Sequence, residues 1–151
     1  MTDVPVEEYV CTRIRRAEQA LMGHHETVLR TYGLTMTQYT VLLTLSREDD
    51  MSGAQLARAC GVTQQSMATV LAGMQNKGLI DRNPSPVHAK VMIATLSPAG
   101  RDLLERAYQE VIVLERALTD RFTPDEHKLF CEFLDRATAT LVEQTPTSQT
   151  G

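Results

Sequence analysis

Apolar residues along most of this chain recur every three or four positions, the period of an amphipathic helix. Val6, Val10, Ile14, Ala17, Leu21, Val28 and Tyr32 trace one stripe, which predicts a single extended helix from Pro5 to Tyr32, closed by Gly33. Thr35 with Gln38 forms a capping box for a second helix running to about Leu45, with Tyr39, Leu42, Leu43 and Leu45 as its apolar positions. The acidic run Glu48-Asp49-Asp50 then turns the chain. Near the C-terminus, Ser97 and Pro98 occupy the cap and first position of a helix whose apolar residues are Leu104, Ala107, Val111, Leu114 and Leu118. Thr123, Pro124 and Glu126 start a last helix, with Phe130, Phe133, Leu134, Ala137 and Leu141 on its buried side. Thr145 to Gly151 has nothing to bury and reads as a frayed tail.

Between Ser52 and Leu96 the pattern shortens and changes period. Ser52 caps a helix with Gln55 completing a capping box, and Gly61 ends it; the turn Cys60-Gly61-Val62 leads to Thr63, a second cap. Met67, Val70, Leu71 and Met74 then form a buried face, leaving Gln64, Gln65, Ala68, Thr69 and Ala72 on the other. Gly78 closes that helix. Two β-rich runs follow, Leu79 to Asn83 and Lys90 to Leu96, separated by Pro84-Ser85-Pro86. Two helices, a turn and a hairpin are the grammar of a winged helix-turn-helix, whose second helix enters a major groove. The expected fold is mainly α with a small β wing. It is a single domain in which helical regions 5–32 and 97–143 flank a winged unit at 35–96. Because each terminal region carries an uncovered stripe, the termini of two chains are expected to pack together as a dimerisation region.

The chain of 151 residues can bury a sizeable core, and its net charge of −4 is at odds with a nucleic-acid partner until it is divided by segment. Ser52 to Gly100 holds Arg58, Lys77, Arg82 and Lys90 against Asp81 alone, a local +3, so the remainder carries −7. A mildly basic reader thus sits in an acidic frame. No stretch reaches the roughly 20 apolar residues of a membrane span, and the N-terminus is acidic where a signal peptide is basic, so a cytoplasmic protein is expected. Cys11, Cys60 and Cys131 lie far apart with no CxxC pair, which argues against a disulfide framework. The four histidines, at 24, 25, 88 and 127, have no zinc spacing, and neither a metal nor a cofactor is expected.

Several strings in this order are recognisable: Gly33-Leu34-Thr35 with Gln38, then Gln55 to Pro84 with Lys77-Gly78-Leu79-Ile80 and Arg82, then Leu96-Ser97-Pro98-Ala99-Gly100-Arg101. With them the chain resembles the MarR family of bacterial transcriptional regulators over roughly Gly33 to Glu105. The resemblance implies a homodimer held by its terminal helices and bound to a pseudo-palindromic operator on double-stranded DNA. It also implies a repressor that lets go when a small phenolic or other aromatic effector, or an oxidant, acts on it. Two departures stand out. Family members commonly carry arginines in the recognition helix where this chain has Thr69 and Gly73. Their wing tip resembles D-P-x-D-R-R, where this chain reads Ser85-Pro86-Val87-His88-Ala89-Lys90. A bidentate pairing of guanidinium with guanine is worth about 1–3 kcal/mol, so without these arginines binding is expected to be weaker and more directed to adenine and shape.

The candidate DNA-binding residues are Thr63, Gln64, Gln65, Ala68, Thr69, Lys77, Arg82, His88 and Lys90. Gln64 and Gln65 read either as base contacts or as a solvated face, and Lys77 either as a phosphate contact or as a partner of the helix dipole. Arg15, His24, His25, Met36 and Tyr39 are candidates for holding an acidic aromatic ligand where the first helix meets the winged unit. His24, which continues the Val10, Ile14 and Leu21 stripe, reads alternatively as a buried, satisfied histidine. Cys11 stands 22 residues before Gly33, a register that resembles the reactive cysteine of the hydroperoxide-sensing branch. Arg15, one turn on, would favour its thiolate; the other reading is a small core residue. Cys60 and Cys131 read as structural. A winged-helix module that has lost its arginines and binds another protein is the remaining alternative, and an enzyme lacks any nucleophile, base and oxyanion constellation.

Overall fold

From α2 onward the helix starts in this chain are capped by residues three apart, and the computed structural model, which describes residues 5–144, places them where those residues stand. Its elements are α1 (Val10–Thr31), α2 (Met36–Arg47), β1 (Met51–Ser52), α3 (Gly53–Cys60), α4 (Gln64–Asn76), β2 (Ile80–Pro84), β3 (Met92–Leu96), α5 (Pro98–Thr119) and α6 (Pro124–Gln144). Thr35 Oγ1 accepts from the Gln38 amide while Gln38 Oε1 accepts from the Thr35 amide, a reciprocal box that opens α2. Ser52 with Gln55 and Thr123 with Glu126 open α3 and α6 in the same way. Thr63 Oγ1 accepts from the Ser66 amide at the head of α4.

The ends of α3 and α4 set the turn and the wing. Gly61 (φ 64°) and Gly78 (φ 69°) occupy the left-handed region that a side chain disfavours. The next residue then turns back: the Val62 amide donates to Ala57 O at 3.0 Å and the Leu79 amide to Met74 O at 3.0 Å. Val62 and Leu79 thereby fold onto the core.

The molecule divides into two units, at residues 111 and 112. In the first, Met67, Leu71 and Met74 of α4, Leu56 of α3, and Val41, Leu42 and Leu45 of α2 are buried together with Leu29, Ile80, Ala94, Leu104 and Ala107. A three-stranded antiparallel sheet in the order β1-β3-β2 closes this core, with Met51 opposite Ala94 and Ile80 opposite Leu96. Ser97 ties it off. Its buried hydroxyl donates to Gly78 O at 2.7 Å and accepts from the Gly100 amide at 3.0 Å, and its own amide donates to Leu79 O at 3.2 Å. In the second unit, the end of α5 leads through a turn to α6, where the Phe122 and Phe130 rings stack at 5.2 Å and Arg136 lies 5.8 Å from the centre of the Phe133 ring.

Two expected boundaries need correction. The first helix does not run from Pro5: Val6–Glu8 is a short 3-10 turn, Tyr9 is extended, and α1 starts at Val10. The strand β1 was not legible, because two residues gain strand character only by pairing with β3, far along the chain. The second wing strand starts at Met92 rather than Lys90, since Ala89 and Lys90 are taken into the turn closed by the Val91 amide on His88 O. The stripe on α6 is uncovered within one chain, as expected of the terminal regions: Phe133 is 56% exposed, and Phe130, Leu134 and Leu141 are exposed as well. Val6 in the 3-10 turn and Val10 and Leu21 on α1 are likewise exposed, while on α1 Leu29 alone is fully buried. The tail from Thr145 to Gly151 lies outside the described residues.

Gly100 has no room for a side chain, because a Cβ there would stand 2.0 Å from Leu79 O, a backbone atom. Gly100→Ala is therefore expected to cost at least about 1–3 kcal/mol of stability, read as a lower urea midpoint at a fixed protein concentration. An unchanged midpoint would show that α5 can slide off Leu79 freely.

Candidate nucleic-acid interface

The polar face of α4 follows from its buried one. With Met67, Leu71 and Met74 locked into the core, the 100° step of the helix turns Gln64, Gln65, Ala68 and Thr69 outward, and all four are exposed. Thr63 is exposed at the head of the helix as its cap. Thr69 Oγ1 donates to Gln65 O at 3.3 Å, and no hydrogen bond among the described residues engages the side-chain amides of Gln64 and Gln65. Those two amides can therefore present a donor and an acceptor together, the pairing that matches N6 and N7 of adenine. Gly73, one turn beyond Thr69 on the same line, has nothing within 4 Å of where a Cβ would stand.

The charged candidates divide. Lys77 Nζ donates to Gly33 O at 3.3 Å, so this ammonium joins the end of α4 to the end of α1 while remaining exposed. Arg82 stands opposite Ala94 on the core-facing side of β2, with Ile80 two residues before it; it is half-buried, and its Nε is sealed off without a protein partner. His88 and Lys90 are exposed at the wing tip. That tip is ordered by Ser85, whose hydroxyl accepts from the Val87 amide at 3.3 Å and the His88 amide at 3.2 Å, and whose amide donates to Val91 O at 2.7 Å. It is also apolar: Val87 is 78% exposed, with Val91 and Met92 exposed beside it. The charges and motifs of the wing were legible in the sequence, whereas this apolar crest has no periodicity or motif that would mark it.

The ligand candidates are only partly brought together. His24 is exposed, not buried as its place on the stripe suggested. The face of α1 that meets the core runs through Met22, His25, Leu29 and Tyr32, so the half-buried histidine is His25, whose Nδ1 is sealed without a partner. The two imidazoles meet edge to face at 6.0 Å. Met36 is half-buried and Tyr39 buried on α2. Arg15 stands ten residues before His25 on the same helix, a rise of about 15 Å, so within one chain it does not reach the histidine. Cys11 is exposed rather than a small core residue, and Cys131 is exposed too, its Sγ 4.0 Å from His127 Nε2. Burial pushes the Cys60 thiol up, which disfavours its thiolate. Among the described residues no cluster of three or more His, Cys, Asp or Glu could hold a metal ion, and no helix is long and apolar enough to cross a membrane.

With this geometry in view, the comparisons with known proteins agree with one another. The sequence profile of the MarR family matches residues 32–90. The HTH-type transcriptional repressor Rv2887 of Mycobacterium tuberculosis is 32% identical over 121 residues, which is 80% of this chain and 87% of the relative. Among solved structures, BpsR of Bordetella bronchiseptica, whose DNA binding is regulated by 6-hydroxynicotinic acid, superposes with a TM-score of 0.78 at 20% identity, covering 91% of this chain and 98% of BpsR. The transcriptional repressor CouR, bound to a 23-mer DNA duplex, gives a TM-score of 0.78 at 21% identity, again covering 91% and 98%.

Burial, and then the neighbouring His24, hold the His25 pKa below its ordinary 6.5. The unfolded chain therefore binds more protons than the folded one at pH values between that lowered value and 6.5. His25 leaves stability intact above about pH 6.5 and subtracts from it as the pH falls through that window. The urea midpoint of the wild type is expected to drop further than that of His25→Gln between about pH 8 and about pH 5. Parallel curves for the two proteins would show that His25 is not desolvated.

Proposed function

The chain belongs to the MarR family of transcriptional regulators, and on that footing we propose that it is a homodimeric repressor acting on a pseudo-palindromic operator in the bacterial cytoplasm. The observation that carries this reading is the outward face of α4, where Gln64, Gln65, Ala68 and Thr69 are exposed while Met67, Leu71 and Met74 fix the helix from behind. In this proposal Gln64 and Gln65 read base edges and Thr63 positions a phosphate. Lys90 and His88 bring the wing to the neighbouring groove, Arg82 adds charge at its base, and Lys77 braces the end of α4. CouR, held on duplex DNA, and the repressor Rv2887 support the partner and the sign of control. BpsR, controlled by 6-hydroxynicotinic acid, supports release by a small aromatic effector. The stripe of exposed Phe130, Phe133, Leu134 and Leu141 with half-buried Ala137 is assigned to the partner chain, since an apolar row this long is costly to leave in water.

Selection of bound duplexes from a random pool by the full chain tests the reading, because it reports both activity and site. A palindromic consensus is expected; recovery of no sequence above background overturns it. On the selected operator, Gln65→Ala is expected to lower affinity by about 1–3 kcal/mol while leaving binding to random duplex nearly unchanged, measured by anisotropy at one salt concentration. Equal losses on both would remove its base-reading role.

The empty space at Gly73 allows a gain as well as a loss. Gly73→Arg is expected to tighten binding to both specific and random duplex and to steepen the fall of affinity with salt by about one phosphate contact. It should also raise helix stability by roughly 0.5–1 kcal/mol. An unaltered salt slope would place Gly73 off the DNA-facing side.

A further inference from the structure

One contact on α6 is used neither by the proposed reading of DNA nor by the row assigned to a partner chain. Cys131 Sγ stands 4.0 Å from His127 Nε2, one helical turn away, and neither side chain has another hydrogen-bond partner among the described residues. Cys131 is exposed and His127 half-buried. The helical step puts Cys131 about 100° around α6 from the middle of the row Phe130, Phe133, Leu134, Ala137 and Leu141. The thiol therefore lies at the border of that row and not within it.

A thiol and an imidazole four residues apart on one helix face are a ready pair of ligands for a soft cation. In the neutral ring with its proton on Nδ1, Nε2 carries a free lone pair. The separation of the two donors narrows the choice of ion. With metal bonds of about 2.3 Å to sulfur and about 2.0 Å to nitrogen, they stand about 3.5 Å apart at a tetrahedral angle and about 4.3 Å apart in a straight line. The observed 4.0 Å lies nearer the straight arrangement. Donor count points the same way. The residues one turn to either side are Thr123, whose hydroxyl donates to Glu126 Oε2 at 2.9 Å, and Asp135, and among the described residues no third His, Cys, Asp or Glu joins the pair. Zinc asks for four ligands and the hard divalent cations for about six, so two widely set donors suit neither.

We propose that His127 and Cys131 form a two-ligand site for a soft monovalent cation of the copper(I) class. Binding replaces the thiol proton: the S–H bond breaks, a bond from sulfur to copper forms, the Nε2 lone pair completes the coordination, and the proton goes to solvent with no change of oxidation state. Thiolate and cation cancel, so the filled site is neutral and needs no further counter-charge. The nearby Lys128 and Glu132 already pair with each other at 4.0 Å. Both ligands belong to one helix of one chain, so the site stands whether or not the chain reads an operator.

Copper(I) held by bicinchoninate in the absence of air, titrated with the full chain carrying Cys11→Ser and Cys60→Ala, tests the site, because uptake is read as loss of the coloured bicinchoninate complex. One ion per chain is expected, with one sulfur and one nitrogen around it by X-ray absorption, a measurement that needs no substitution at either ligand. Cys131→Ser should abolish uptake, and His127→Gln should weaken it by about tenfold or more at unchanged helix content. An equal concentration of zinc should displace none of the copper. Absence of uptake, uptake that survives Cys131→Ser, or displacement by zinc overturns the proposal. Equal uptake by His127→Gln also does so, since the thiol would then act alone. Two sulfurs around the ion, or one ion per two chains, overturns it as well by placing the metal between two copies.

Discussion

The contact on which the rest of this structure depends is the one between the first turn of α5 and the backbone at Gly78 and Leu79. A Cβ at Gly100 would meet Leu79 O at 2.0 Å, and Ser97 is buried there with hydrogen bonds to Gly78 O and from the Gly100 amide. Four elements meet at this point: the end of α4, the start of β2, the end of β3 and the start of α5. Holding them together fixes the tilt of α4 relative to the wing, and it needs a glycine and a small hydroxyl at set positions because two backbones approach within one atom's width. With the end of α4 pinned and Met67, Leu71 and Met74 buried, the direction of its polar face is no longer free.

The parts of this arrangement that were legible in the sequence are those set by near neighbours. Capping boxes at Thr35, Ser52 and Thr123 and the glycine ends at 61 and 78 each depend on residues within five positions, so they read directly from the chain. So did the exposed side of α4, because one buried face at helical period determines the other. What needed the structure depends on distant partners. The strand β1 exists only through Ala94 and Ile93. The face of α1 shifted from the stripe through Leu21 to the one through His25 and Leu29, because only the C-terminal turns of that helix meet the core. The contact of His127 with Cys131 is local, four residues along α6, yet beside Phe130 and Phe133 the pattern alone reads Cys131 as structural.

Charge bears on the role proposed for the amides of α4. Of the four cations between Ser52 and Gly100, Lys77 donates to Gly33 O and Arg82 has its Nε buried beneath the sheet, which leaves Arg58 and Lys90 as the most freely displayed. Few phosphate contacts make a shallow dependence on salt, and the acidic remainder of the chain opposes approach to DNA at long range. In the proposed reading, a chain built this way discriminates through hydrogen-bond pattern and shape rather than through general attraction. Val87, Val91 and Met92 are exposed on the same wing and add apolar surface rather than charge beside these few cations.

Weak electrostatics also raises the value of a second copy. Two reading helices on one rigid dimer convert the second half-site contact into an intramolecular event, so modest affinity per half-site multiplies into useful affinity for a palindrome while leaving single half-sites nearly unbound. The apolar row on α6, costly to expose and unfilled by its own chain, is where the proposed reading places that second copy. A chain with several wing and helix arginines could tolerate a loose dimer, because each protomer would still hold DNA through phosphates. This chain has Thr69, Gly73 and Ala89 in place of those arginines, and so in the proposed reading its grip on an operator is tied more closely to the geometry between two α4 helices than to the charge on either one.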